Sequence, residues 1–242
     1  MTAEHHHTPE HIHVGDHLRT AAGAVPAWLR PTEGEHRWQV TLAVAAAIGL
    51  QLAVPHGYQL HPDWLIPAIE GAVVIGILIR TPGKISRRSA GLRMATLFVI
   101  AAMSLANSWS LVLLVHGLVN GTKGQTAGPL LLTGAAIWGT NVIVFSLWYW
   151  EFDRGGPGHR AQAVRHYPDL MFPQMANREF AAPDWEPQYF DYLYTSFTNA
   201  AAFSPTDVMP LSRWTKMLFL VQSSVSLISA ALVIARAVNI LQ

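Results

Sequence analysis

Residues 130–150, LLLTGAAIWGTNVIVFSLWYW, form an apolar stretch of 21 positions with no charged side chain. A helix of about 20 such residues crosses the hydrocarbon core of a bilayer, which is about 30 Å thick. The whole composition agrees, because 51% of the 242 residues are hydrophobic and only 13% are charged. We therefore expect an integral membrane protein.

Four further apolar stretches have the length, or nearly the length, of a membrane span. They cover residues 38–54, 64–79, 94–119 and 217–241. These patterns predict an all-α helical bundle of about five transmembrane helices. Residues 1–37 are predicted to be a polar, His-rich tail and 38–150 to hold four transmembrane helices. Residues 151–187 are predicted to be a cytoplasmic polar segment, and 188–242 to hold a short helix, a loop and the last transmembrane helix.

Basic residues are distributed unevenly among the predicted loops. Arginine and lysine are frequent before the first span, between the second and third, and between the fourth and fifth, whereas residues 55–63 contain none and residues 120–128 only Lys123. Short loops rich in Lys and Arg stay in the cytoplasm. We expect a multi-pass protein of the inner (plasma) membrane with a cytoplasmic amino terminus and segment 151–216.

Several classes of function are disfavoured by composition and by missing motifs. The net charge is +1, too little to bind nucleic acid through its phosphates, and the chain has no cysteine for thiolate metal sites or nucleophiles. No phosphate-binding glycine motif, zinc-protease helix or nucleophile elbow occurs in the sequence. We predict no enzyme activity, no catalytic residue, no cofactor and no resident metal.

The stretch before the last span contains an aromatic-Ser-Phe-Thr run and, further on, an aspartate and a long apolar helix. The residues concerned are Tyr194, Ser196, Phe197, Thr198, Asp207 and, at the start of the helix, Arg213. Residues 189–241 thereby resemble the pore helix, filter loop and inner helix of two-transmembrane potassium channels. The chain also resembles, more closely, a family of uncharacterised bacterial multi-pass proteins with a domain of unknown function. The second resemblance implies no activity.

The filter-like part of this stretch departs from the potassium-channel pattern. The pore-loop residues are Thr198, Asn199, Ala202, Phe203, Ser204, Pro205, Thr206 and Asp207. Pro fixes φ near −65°, and no glycine is present to place successive carbonyl groups in a ring. Potassium selectivity is therefore not expected. Potassium channels also insert this loop from outside, whereas the basic residues place it inside.

Two interpretations of residues 188–203 remain open. The segment is either a re-entrant element that opens toward the cytoplasm, or an amphipathic helix lying in the membrane interface. The second interpretation assigns one apolar face to residues at helical spacing, which are Tyr189, Phe190, Leu193, Tyr194 and Phe197.

Polar side chains inside predicted spans are candidate sites, because charge in hydrocarbon is costly. Glu70, His116 and Arg236 fall at similar depth near the outer surface and form a candidate proton or ion site. The alternatives are a structural ion pair or an Arg236 side chain that extends to the headgroups. Gln222, Ser226 and Ser229 form one polar stripe, which lines a conduit or packs against another helix.

The amino-terminal tail carries six histidines, at positions 5, 6, 7, 11, 13 and 17. Imidazole binds several transition metals, but a solvated tail that titrates near neutral pH is the alternative. For the whole chain we predict a pore-loop, channel-like membrane protein that forms a homo-oligomer and passes a small ion with little selectivity. The alternative is a non-conducting scaffold or accessory subunit that binds another membrane protein; the bilayer is a partner in both.

Overall fold

The computed structural model describes residues 25–81, 83–86, 89–120, 127–201 and 207–241, excluding the side chains of a few of them, Arg236 among these. Within these ranges, three helices are long and apolar enough to cross a membrane, as judged by length and composition. They cover Ala90–Asn120, Gly128–Ala161 and Arg213–Ala235. The expectation of a mainly helical chain with membrane-spanning helices is confirmed at this level.

The helices follow the predicted apolar stretches closely. In chain order they are α1 Trp38–Ala53, α2 Leu65–Arg80, α3 Ala90–Asn120, α4 Ala127–Phe152, α5 Pro157–Ala161, α6 Pro173–Ala176, α7 Tyr189–Ala201 and α8 Arg213–Leu241. Both α1 and α2 have 16 residues and are apolar, but they are shorter than the three long helices. Single 3₁₀ turns lie at Ala27–Leu29, His56–Tyr58, Asp153–Gly155 and Arg178–Phe180.

Two short antiparallel strand pairs connect the loops at one end of the bundle. The first pairs β1 Glu35–His36 with β2 Lys84–Ile85. The second pairs β3 Leu170–Met171 with β4 Met209–Pro210. These pairs hold the segment before α1 and the segment before α8 against loops that are distant in sequence.

Helix α4 lies at the centre and packs against α1, α3, α7 and α8. Its side chains are buried on several sides, as expected for a helix that is apolar around its whole circumference. A Cβ atom at Gly134 would lie 2.8 Å from Cγ1 of Val233, so the absence of a side chain lets α8 approach closely. The two helices are antiparallel, since Gly134 of α4 faces Val233 of α8 and Asn141 faces Ser226.

Residues 25–37 differ from the predicted polar tail, because they are packed against the rest of the protein. Glu35 is only 5% exposed, and the Thr32 amide donates a hydrogen bond of 2.8 Å to the carbonyl oxygen of Ala161. Together with residues 153–188 and 207–212, they form a folded unit that we call the polar layer. It lies at the end of the bundle where α4 ends and α8 begins.

Candidate functional site

Helix α7, the pore-helix-like segment, buries most of its hydroxyl-bearing side chains and exposes its phenylalanines. Its buried residues are Tyr189, Tyr192, Thr195 and Ser196. Phe190, Tyr194 and Phe197 are exposed. The apolar face predicted from the sequence is therefore wrong in part, since Tyr189 lies on the buried face. In contact with lipid, a helix gains by burying polar groups that are hydrogen-bonded and exposing apolar ones.

Hydrogen bonds fix the direction of α7 along α4. Ser196 donates from Oγ to the carbonyl oxygen of Val142 at 2.6 Å, and the hydroxyl groups of Ser146 and Tyr189 lie 2.7 Å apart. Helix α7 therefore runs antiparallel to α4. Helix α7 begins near the polar layer and runs toward the middle of α4.

Gln222 of α8 is the centre of a hydrogen-bond network that includes α7 and α4. Its Oε1 accepts from the Tyr149 hydroxyl at 2.6 Å and from Asn199 Nδ2 at 2.8 Å. Its Nε2 donates to Oγ of Ser196 at 2.6 Å and to the Ser196 carbonyl at 3.0 Å. Ser223 donates from Oγ to Oδ1 of Asn199 at 3.0 Å. Both oxygen and nitrogen of the Gln222 amide are therefore occupied inside this one chain.

The remaining members of the predicted polar stripe also face the protein interior. Ser226 accepts a hydrogen bond of 3.0 Å from Nδ2 of Asn141, and Ser229 donates to the Ser226 carbonyl at 3.0 Å. Gln222, Ser226 and Ser229 are at most 4% exposed. This geometry matches the packing alternative for the stripe.

The pore-loop residues are described only in part. Thr198 donates from Oγ1 to the carbonyl oxygen of Tyr194 in its own helix at 2.9 Å, whereas Asn199 belongs to the Gln222 network. Residues 202–206, which contain the filter-like positions Ala202, Phe203, Ser204, Pro205 and Thr206, lie outside the described residues. Asp207 is exposed and directly precedes the return to β4.

The charge cluster predicted from the sequence consists of Glu70, His116 and Arg236. Glu70 is fully buried and accepts a hydrogen bond of 3.0 Å at Oε2 from Nε2 of Gln51, while its Oε1 has no hydrogen-bond partner among the described residues. The Nε2 atom of His116 lies 2.9 Å from Nδ2 of Asn120, which is on the same helix. The Arg236 side chain is outside the described part of the structure. The Glu70–Arg236 pair therefore stays a prediction.

The sequence interpretation missed a buried ion pair that joins the polar layer to α4. Arg160 donates from Nη2 to Oε1 of Glu35 at 2.7 Å, and Trp150 donates from Nε1 to Oε2 of Glu35 at 2.7 Å. Arg160 also donates from Nη1 to the Trp150 carbonyl at 2.6 Å, and its guanidinium lies 4.9 Å from the ring centroid of Tyr192. Charge pairing and these additional hydrogen bonds are what a buried ion pair requires.

Asp153 is a second missed residue, and it connects α4 with α7 and β3. Its Oδ2 accepts from the Tyr192 hydroxyl at 2.7 Å, and its Oδ1 accepts from the amides of Asp169 at 2.9 Å and Leu170 at 3.3 Å. Asp169 in turn accepts a hydrogen bond of 3.1 Å from Nε1 of Trp214, near the start of α8. One carboxylate thus fixes the ends of three segments.

Glu186 lies at the edge of the polar layer, outside the helices that are long enough to span. Its Oε2 accepts a hydrogen bond of 2.9 Å from the Thr32 hydroxyl. Burial raises the pKa of this carboxyl above its usual value, since the Thr32 hydrogen bond opposes the shift only in part. The polar layer therefore favours the protonated form of Glu186.

A signal for the missed residues is present in the sequence EFDRGGPGHR at positions 151–160. Two acids and an arginine directly after an uncharged 21-residue stretch, followed by a Gly-Gly-Pro turn, indicate a specific structure at the membrane boundary. The sequence interpretation treated these residues as part of a polar connecting segment.

Comparisons of the chain with protein-family models, curated proteins and solved structures find no match. Among the described residues there is also no group of three or more His, Asp or Glu side chains that could hold a metal ion; the six tail histidines are not among them. The features of the described residues that bear on function are the Gln222 network and the polar layer.

Proposed function

We propose that the chain is an inner-membrane protein with five spans, in which α1 and α2 form a short helical hairpin beside α3. A helix of 16 residues is about 24 Å long, somewhat less than the hydrocarbon thickness. Local thinning of the bilayer and polar residues at the helix ends accommodate such a difference. The basic residues of the polar layer support a cytoplasmic location for that layer.

In this proposal, α7 is a re-entrant helix rather than an interfacial one. Ser196 contacts Val142, which precedes the end of α4 by about 15 Å of helix, and Asn199 contacts Gln222, about 14 Å into α8. Each distance is about half of the hydrocarbon thickness. The chain is back in the polar layer at β4, so entry and exit lie on the same side.

The function that this geometry supports best is that of a non-conducting membrane scaffold or accessory subunit. The observation that carries the proposal is the Gln222 network, because the polar groups of α7 and α8 bond to each other and to α4 instead of facing a water-filled path. The α8 face opposite Gln222 is mostly apolar, with exposed Leu220, Leu227 and Ile234. On the polar layer, Val164 and Tyr167 are exposed and accessible to a protein partner.

A weakly selective ion conduit formed by a homo-oligomer is the second candidate. Its support is the depth of α7, since a helix that ends at about mid-membrane and turns back is the arrangement of a pore loop. In this case several copies would place the carboxyl ends of their α7 helices around a common axis.

Ion flux in proteoliposomes distinguishes the two candidates. The wild-type protein should pass K⁺ and Na⁺ no faster than protein-free liposomes, because its polar groups are already paired. Flux above this background that is lost in Asn199→Leu and kept in Ser224→Leu would instead support the conduit. Ser224 is the matched control, since it is an exposed residue of α8 on the face opposite the network. Determination of the subunit number in detergent accompanies this test.

A further inference from the structure

A cleft with two arms lies between the membrane helices and the polar layer. The apolar arm is a partly open groove that runs between α1, α2, α3 and α4. Val44, Val74, Leu78, Ile100 and Leu147 are among the side chains that line it. The polar arm is a wider, partly open pocket that lies beside the turn at residues 155–158.

The two arms adjoin each other. Arg37, Ile85, Thr96 and Trp150 line both of them. Arg37 directly precedes α1 and Trp150 lies near the end of α4, so the junction is at the headgroup boundary of the proposed topology. The apolar arm extends from this boundary toward the bilayer centre.

The charges at the junction favour an anion. Arg93 donates from Nε to Oε1 of Glu151 at 3.1 Å, and Arg37 lines the same arm. The Nε of Arg37 is buried and has no hydrogen-bond partner among the described residues. Two guanidinium groups thus face a single carboxylate, which leaves an excess of one positive charge and an unused donor. A buried donor of this kind is costly unless it is satisfied.

We propose that this cleft binds an anionic phospholipid of the bilayer, with one acyl chain in the apolar arm and the phosphate at Arg37 and Arg93. The apolar arm distinguishes a lipid from free phosphate, because inorganic phosphate gains nothing from apolar walls. The excess positive charge distinguishes an anionic lipid from a zwitterionic one. A bound lipid would join α1 and α2 to the central helices α3 and α4.

The test is thermal unfolding of the full chain in detergent, titrated with phosphatidylglycerol, phosphatidylcholine or inorganic phosphate. Phosphatidylglycerol should raise the melting temperature in a saturable way, phosphatidylcholine should do so only at higher concentration, and phosphate should have no effect. Arg37→Gln should weaken the apparent affinity for phosphatidylglycerol by about tenfold, the loss of one charge-assisted hydrogen bond. Arg213→Gln removes an exposed arginine of α8 outside the cleft and should bind as wild type does.

A second pair of variants tests the apolar arm. Val74→Trp fills the arm and should abolish the response to phosphatidylglycerol. Ile75→Trp is its matched control, because Ile75 is the next residue of α2 and is 58% exposed. Equal responses to the two lipids, a response to phosphate alone, or equal loss in Val74→Trp and Ile75→Trp would overturn the proposal. If Arg37→Gln fails to fold, the tryptophan pair still decides it.

Discussion

Gln222 of α8 donates a hydrogen bond of 2.6 Å from Nε2 to Oγ of Ser196 in α7, and Ser196 donates onward to the carbonyl oxygen of Val142 in α4. Three helices are thereby joined by two adjacent hydrogen bonds. All of the side chains that take part are buried. This chain of bonds is the reason to regard α7 as a fixed structural element.

Gln222→Leu should destabilise the protein by about 1–3 kcal/mol, because it removes the acceptor of the buried Tyr149 hydroxyl and one of the acceptors of Asn199 Nδ2. Unfolding in mixed detergent micelles measures this difference. Ser224→Leu makes a similar polar-to-apolar change on the exposed face of the same helix and should change stability little. Equal losses of stability in the two variants would mean that the hydrogen bonds of the Gln222 network do not stabilise the fold.

The buried Glu35–Arg160 pair should be sensitive to loss of either partner alone. Glu35→Gln or Arg160→Leu leaves an uncompensated buried group and should cost about 3–5 kcal/mol, whereas the double variant should cost less than the sum. A double-mutant cycle followed by thermal or detergent unfolding measures the coupling. Glu33, which pairs with Lys84 at the surface, supplies the control Glu33→Gln, and this variant should be nearly neutral. Additive effects at Glu35 and Arg160 would contradict the structural role of the pair.

Gly156 adopts a φ of 98° after the 3₁₀ turn at the end of α4, and a Cβ atom there would lie 2.9 Å from the carbonyl oxygen of Glu151. Gly156→Ala should therefore destabilise the fold by about 1–3 kcal/mol through backbone strain and this contact. Gly57→Ala is the control, since a Cβ atom at Gly57 has no neighbour within 4 Å. A melting temperature of Gly156→Ala equal to that of Gly57→Ala would show that the turn relaxes without cost.

Burial of Glu186 predicts a pH dependence with a defined sign. Because its pKa is raised in the folded protein, the folded state holds this proton more tightly than the unfolded state does. Its contribution to stability should be lost as the pH rises from the usual pKa of glutamate through the raised value. Over this pH range, the melting temperature of Glu186→Gln should fall less steeply with rising pH than that of the wild type. Glu179→Gln, at an exposed position, should follow the wild type. An unchanged slope in Glu186→Gln would exclude this source of pH dependence.

The apolar sequence stretches predicted the helices well, because apolar length alone determines which segments can lie in a bilayer. The inward face of α7 could not be predicted in the same way. Helical spacing groups Phe190, Tyr194 and Phe197 on one face of α7. It does not show whether this face or the opposite one packs against the rest of the protein. The serine and glutamine partners that decide this question lie on α4 and α8, distant in sequence.

The polar layer escaped prediction for a related reason. Glu35 and Arg160 are separated by 125 positions, and neither lies within an apolar stretch. Residues 25–37 look like a solvated tail when they are taken alone, since their burial depends on a partner that local pattern does not reveal. The local signs of this contact are the acids and the arginine at the end of α4 and the Gly-Gly-Pro turn after them.

Site-specific labelling of single cysteines tests most directly whether a water path from the outer side reaches α7. The chain has no cysteine of its own to interfere. In intact cells, a membrane-impermeant thiol reagent should label Gly57→Cys in the α1–α2 loop. It should not label Tyr167→Cys, which is 87% exposed on the polar layer, or Ala201→Cys at the end of α7. Inside-out vesicles should label Tyr167→Cys. Labelling of Ala201→Cys from the outer side would reveal a water path past α7 and contradict a non-conducting scaffold.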